Sequence, residues 1–295
     1  MKTLIIENID QKKIGELMTV SQKFCEIPDI IALGDGPVPG KFGKALQAGK
    51  TVAANLIPSV VKIIREEKYE VVLMSVSTLG TGLAGPLSAA LSAPVVTEVT
   101  AVHPDMVVER PIYGGKAMIK QKLESTPAIL TIRRKYFEPA LLEGTTASTP
   151  LSLDAGRVRL VAEKNEQAEG IPLEDAAVIV SGGRGVGDKD SFALLQAMAD
   201  QMNGAVGASR GAVDEGWASP TRQIGQTGKI VAPDVYFAVG ISGASQHLAG
   251  IANSKCVVAI NKDAEANIFN RARFGLVCDY KKILPLLTQA VKEKR

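Results

Sequence analysis

Five apolar runs in the second half of the chain, AAVIVS, GAVGAS, VYFAVGIS, CVVAIN and GLVCD, constrain its fold more than any other feature. Each is short, rich in Val, Ile and Ala, and ends abruptly. The first runs into Ser181, Gly182, Gly183, Arg184 and Gly185, and the second ends at Ser209, Arg210 and Gly211. The third ends at Ser242, Gly243, Ala244 and Ser245, the fourth at Asn261 and the fifth at Asp279. Amphipathic segments follow several of them: SFALLQAMADQM after the first, QHLAGIAN after the third, AEANIFNRAR after the fourth, and a closing YKKILPLLTQAVKEKR. Strand, loop and helix repeated this way predict a doubly wound parallel sheet. Such sheets bind ligands in the crevice outside the carboxyl ends of their strands. All five ends here carry small, polar or charged residues, and helix starts there offer N–H groups to phosphate. The pattern calls for a phosphate-bearing nucleotide ligand.

The first half is also α/β. TLIIE, DIIAL, EVVLMSVS, PVVTEVTAV and PAILTIR read as strands, and TVAANLIPSVVKIIREEKY as a helix with Pro58 inside it. YFEPALLEGTTASTPLSLDAG is polar and turn-rich and is expected as a surface excursion, and VRLVAEK as a further strand. AEKNEQAEGIPLEDA lacks an apolar period and reads as an interdomain linker. The fold class is therefore α/β with two α/β domains, 1–169 and 170–295, the second a Rossmann-like doubly wound sheet.

At 295 residues with 46% hydrophobic and 22% charged residues, the chain has the make-up of a globular protein. Its net charge of +3 and 4% aromatic content give no reason to expect a nucleic acid polymer as partner. Three cysteines without metal-type spacing and two histidines argue against a metal site and for reduced thiols in the cytoplasm. No apolar run approaches the length that membrane insertion requires. The first half holds a literal G-x-G-x-x-G, Gly80-Thr81-Gly82-Leu83-Ala84-Gly85, with Glu98 downstream. As a dinucleotide fingerprint it would make the chain an NAD-dependent oxidoreductase. Pro86 and the position of Glu98 inside a strand favour a tight strand-to-helix turn instead. His103, before a proline, is expected to be extended and without a role.

The stretches SGGRG, VGASRGAVDEGW, RQIGQTGKIVAPDVYFAVGISGASQHLAGI and VVAINKDAEANIF together resemble the alpha subunit of electron-transfer flavoprotein. ERPIYGGKA and TIRRKYFEPA agree more loosely. The resemblance implies FAD held by the C-terminal domain, and a heterodimer with a beta subunit contacted by the N-terminal domain. It implies flavin dehydrogenases as electron donors, a quinone reductase or other acceptor, and no substrate chemistry or catalytic residue of the chain's own. Carried over by position, the flavin contacts are Arg184, Ser209, Arg210, Gln223, Ile224, Gly225, Gln226 and Thr227. They continue with Ser242, Gly243, Ala244, Ser245, Gln246, His247, Asn261, Asp279 and Tyr280, with no departure at these positions.

Each position has a chemical rationale. Flavin reduced by one electron gathers negative charge around N1 and the C2 carbonyl, and positive charge or donors aimed there raise its potential. Arg210 as a permanent cation and His247 as a donor suit that edge; the rival for His247 is a helix cap or packing against Trp217. Thr227 suits flavin N5, against a plain turn threonine. Ser209 and Ser242 suit the pyrophosphate, and Asn261 and Asp279 the adenosine end, unless Asp279 is an ordinary N-cap. Arg184 suits either phosphate or the ring edge. A nucleotide-sensing module without redox activity is the third class that fits the loops.

Overall fold

The structure is a computed structural model that describes residues 1–49, 51–115, 117–153, 158, 161–162 and 170–294. It divides into two compact units, Met1–Lys164 and Asn165–Arg295. Most of VRLVAEK and the heart of the expected linker lie outside the described residues.

In the first unit β1 (Thr3–Asn8), α1 (Gln11–Ser21), β2 (Asp29–Leu33), β3 (Val38–Pro39), β4 (Ala45–Ala48), α2 (Ala53–Glu67) and β5 (Val71–Ser75) come first. Next are α3 (Thr78–Leu91), β6 (Val95–Val99), β7 (Ala101–His103), β8 (Val107–Ile112), β9 (Ala117–Lys122), β10 (Ala128–Ile132), β11 (Thr145–Thr146) and β12 (Thr149–Pro150). A seven-stranded parallel sheet runs in the order β12-β4-β2-β1-β5-β10-β6. Successive apolar residues of its strands point to opposite faces. Ile5, Ile30 and Leu73 meet Ile14 and Leu17 of α1, while Leu4, Ile31 and Val72 meet Val60 of α2 and Leu83 of α3. α2 runs through Pro58 without interruption.

Three expectations change here. The excursion 136–156 is partly tied down: β12 adds an edge strand by pairing with β4, and Leu142 and Leu151 pack on the cores. PVVTEVTAV is two strands: β6 ends at Val99 and, past Thr100, β7 leaves for a separate antiparallel sheet, β7-β8-β9. His103, extended in β7, bonds through Nε2 to Glu109 at 2.7 Å. The G-x-G-x-x-G lies inside α3, whose first residue is Thr78 and whose cap is Ser77, so it is neither a turn nor a phosphate loop. A Cβ on Gly80 would come within 2.1 Å of the Ser75 carbonyl; glycine lets helix and strand touch there.

The second unit contains β13 (Val178–Gly182), α4 (Phe192–Gln201), β14 (Ala205–Ala208), α5 (Arg210–Asp214), β15 (Val235–Val239), α6 (Ser245–Ile251), β16 (Cys256–Asn261), β17 (Phe274–Val277) and α7 (Tyr280–Glu293). All five strands are parallel, in the order β14-β13-β15-β16-β17. On one face Phe192, Leu195 and Met198 of α4 and Leu284 of α7 pack against Val180, Val206 and Ile260. On the other, Ile224, Ile251 and Ile268 pack against Ile179, Tyr236 and Val257. Each fully buried side chain of this size contributes about 1.5–3 kcal/mol. AEANIFNRAR, expected as a helix, forms only a 3-10 turn at Asn267–Asn270.

Candidate cofactor-binding site

The order of the second sheet fixes where a ligand can sit. The chain leaves β13 for β14 on one side, then crosses to β15 on the other. The connections diverge at the carboxyl ends of β13 and β15, and a crevice opens there. A cleft of about 690 Å³ occupies that position, within the size range of small-molecule sites.

Thirteen of the seventeen expected residues line it: Arg184 after β13; Ser209 and Arg210 after β14; Gln223, Ile224, Gly225, Gln226 and Thr227; Ser242, Ala244, Gln246 and His247 after β15; and Asn261 at the end of β16. Four do not. Gly243 lies beneath the lining, where a Cβ would meet the Ile268 nitrogen at 2.3 Å. The Ser245 hydroxyl donates to Gln246 Oε1. Asp279 caps α7, accepting from the Lys281 amide, and pairs with Lys262 at 3.3 Å. Tyr280 is buried, and its hydroxyl donates to the Val186 carbonyl at 2.6 Å.

Backbone contacts between loops build the floor. Gly183 N–H donates to the Val239 carbonyl at 2.8 Å and Gly185 N–H to the Gly240 carbonyl at 2.9 Å. Gly240 has φ +60, and a Cβ there would stand 2.7 Å from the Gly185 carbonyl carbon, so only glycine permits the crossing. Asn261 Nδ2 donates to the Ile241 carbonyl and Asn267 Nδ2 to that of Gly243, bracing the loop after β15. Gln226 N–H donates to the Gln246 carbonyl at 2.8 Å, tying the QIGQT loop to α6. Within that loop Gln223 Nε2 donates to Thr227 Oγ1 at 3.0 Å. Thr227 thereby keeps its own hydrogen for another acceptor. Ser209 Oγ caps the five-residue α5 by accepting from the Ala212 amide.

The electrostatics balance two guanidinium groups against two carboxylates. Arg210 Nε lies 3.5 Å from Asp214 Oδ2, both largely exposed. The Arg184 guanidinium lies against Gly211, within 3.2 Å of where a Cβ would be. Asp263 completes the wall and accepts from the Glu265 amide. Sequence reasoning missed both acids; the i, i+4 spacing of Arg210 and Asp214 on one helix was their available signal. It also missed Gly240, Ile241 and Ala266 in the lining, while Gly185 and Gly211 stood among the strand-end residues it had marked.

His247 is 7% exposed. Its Nε2 bonds to the Tyr236 hydroxyl at 2.9 Å, and its Nδ1 is buried without a hydrogen-bond partner. Burial pushes the imidazole down to about 4, and the nearby Ile224 carbonyl offsets this only partly. At neutral pH the ring is therefore uncharged. Burial also pushes the Tyr236 phenol up, so it stays protonated.

Among the described residues no group of His, Cys, Asp and Glu could hold a metal ion, and no helix is long and apolar enough to cross a membrane. A glycine-floored cleft at the switch point of a doubly wound sheet, with guanidinium, hydroxyl and amide groups around it, defines a nucleotide-cofactor-binding α/β protein. Residues 47–157 match the family model described as "Electron transfer flavoprotein domain", and residues 172–252 match "Electron transfer flavoprotein FAD-binding domain". The chain is 40% identical to the electron transfer flavoprotein subunit alpha of Pseudomonas aeruginosa, over 84% of this chain and 82% of that protein. It is 40% identical to the Bacillus subtilis alpha subunit, over 83% and 78%, and 46% identical to that of Paracoccus denitrificans, over 68% and 66%. The chain belongs to the electron transfer flavoprotein alpha-subunit family, whose cofactor is FAD. It is an electron carrier that works as a heterodimer with a beta subunit, and the NAD-dependent reading of residues 80–85 is set aside.

Proposed function

We propose that the cleft of the second unit holds the FAD through the thirteen lining residues, and that Arg210, Thr227 and His247 face its flavin. The observation that carries this reading is their convergence on one cleft at the switch point, with a buried, unpartnered imidazole nitrogen in its wall. The fit is chemical as well as spatial. Ser209, Ser242 and the two guanidinium groups supply the donors and positive charge that a pyrophosphate needs. Thr227 has a free hydroxyl hydrogen to offer flavin N5. Neutral His247 offers a hydrogen bond rather than a charge, leaving Arg210 as the cation at the pyrimidine edge. Arg184, lying over Gly211 beside Arg210, belongs to the same positive wall. Asp279 and Tyr280 support the floor from outside the lining and leave the direct-contact set. Bound FAD supplies the one- and two-electron chemistry.

In this reading flavin dehydrogenases deliver electrons to the heterodimer, and a quinone reductase or another acceptor receives them. The first unit is proposed to contact the beta subunit, and Tyr113, Met118 and Leu141 are large apolar side chains that it exposes. The three cysteines are all unpaired, which supports a reducing, cytoplasmic setting. The test is stepwise reduction of the heterodimer. Arg210→Ala and His247→Ala should each lower the potential for the first electron and shrink the one-electron stage. Wild-type potentials in both variants would refute the placement.

A further inference from the structure

One polar row crosses an otherwise apolar core. Tyr236 on β15 is fully buried among Ile179, Ile224, Ala238 and Ile251, yet its hydroxyl ends on His247. Ile179 pairs with Tyr236 and Ser181 with Ala238, so Ser181 lies on the same face of the sheet as the phenol. We propose that Tyr236 is a positioning residue for electron transfer. Its hydroxyl donates to His247 Nε2, and this fixes Nδ1 as the protonated nitrogen that the imidazole presents to the flavin. The inference rests on the reading that His247 faces FAD.

The direction of the bond follows from what surrounds it. A neutral imidazole has one donor and one acceptor nitrogen, and the partner of one decides the role of the other. Burial keeps the phenol protonated, so its hydrogen needs an acceptor. Ser181 Oγ is buried beside the phenol without a full hydrogen bond, and it pulls the phenol's pKa down, as a group donating towards the phenol oxygen does and an acceptor of its hydrogen does not. His247 Nε2, at 2.9 Å, is the acceptor in reach. The Ile224 carbonyl lies close enough to favour a hydrogen on the imidazole. With Nε2 accepting from the phenol, that hydrogen sits on Nδ1.

The energetic consequence favours the ligand. A buried donor without a partner is costly, and a carbonyl oxygen at the cleft wall would satisfy it. Without the Tyr236 hydroxyl the ring would lose its hydrogen bond at Nε2. Sequence patterning gave no sign of this, since VYFAV reads as plain strand core.

The chain has only two histidines, His103 and His247, which makes the test direct. The heterodimer is prepared with nitrogen-15 histidine in the alpha chain alone, and long-range proton–nitrogen correlation spectra identify the protonated ring nitrogens. The expected result is a protonated Nδ1 and a bare Nε2 at His247. Tyr236→Phe should shift the Nε2 signal as its donor is lost and leave His103 in place. Full reduction of the bound FAD should shift the Nδ1 signal of the wild type. Ser181→Ala should leave the His247 pattern unchanged, which keeps the proposal exposed to refutation even if Tyr236→Phe fails to fold. A protonated Nε2, an Nε2 signal indifferent to Tyr236→Phe, or a tautomer altered by Ser181→Ala would overturn the proposal. An Nε2 that responds to Tyr236→Phe beside an Nδ1 unmoved by flavin reduction would instead overturn the placement of FAD against His247, and with it the positioning role.

Discussion

Acidification should weaken the second unit through His247, by an amount that its surroundings set. Burial lowers the imidazole from its ordinary 6.5 to about 4. The native ring thus refuses a proton that the unfolded chain accepts. Its contribution is complete above the unfolded value, is lost as pH falls from 6.5 towards 4, and changes no further below that. At about 1.4 kcal/mol per pH unit the full loss is roughly 3 kcal/mol, of which about 2 kcal/mol has gone at about pH 5. Other titrating groups contribute in the same range, so the measurement is a difference. Wild type and His247→Gln are unfolded in urea at about pH 7 and pH 5, followed through Trp217, the chain's one tryptophan. The stability gap between them should narrow by about 2 kcal/mol on going to the lower pH. A gap that stays constant, or a His247 titration midpoint near 6.5 by magnetic resonance, would show that the ring is hydrated and that its burial has been misjudged.

Two further outcomes follow from the same geometry. Gly243→Ala should cost about 2–5 kcal/mol in urea unfolding and release FAD on gel filtration, combining left-handed strain with a backbone collision; Gly216→Ala, where φ is +73 but no atom lies within 4 Å, should cost about 1 kcal/mol. Asp214→Asn should raise the potential for the first electron by up to about 40 mV, since removing a carboxylate from an exposed pair alters the field by no more than about 1 kcal/mol; an unchanged or lowered potential in redox titration would remove Asp214 from the flavin's surroundings.

Much of the architecture could be read from residue patterns, for a physical reason. Parallel strands buried in a sheet read as short unbroken apolar runs, and all five runs of the second unit became strands, the last of them, β17, as an exposed edge. Patterning failed where tertiary partners decide the backbone. The segment after β16 carries helical spacing, yet Ile268 N–H bonds to the Ser242 carbonyl and Asn267 to that of Gly243, which leaves room for only a 3-10 turn. The sheet β7-β8-β9 escaped notice because β9 is almost wholly exposed and has no apolar period, while Pro111 argued against β8. The loops of the cleft were legible as Gly, Ser and Arg at strand ends. Tyr280 was not separable from them, since nothing in a string of letters shows that its hydroxyl faces inward to Val186. Tyr236 was invisible for the converse reason: a phenol in an apolar strand looks like core until its oxygen is seen to meet an imidazole.

The crossing of Gly183, Gly185 and Gly240 also bears on biosynthesis. These residues touch, yet more than fifty others separate them along the chain. More than fifty residues must therefore follow Gly185 out of the ribosome before the pocket floor can close. A fragment cut short ahead of β15 lacks half of the floor, so adding the cofactor to it should not restore the pocket.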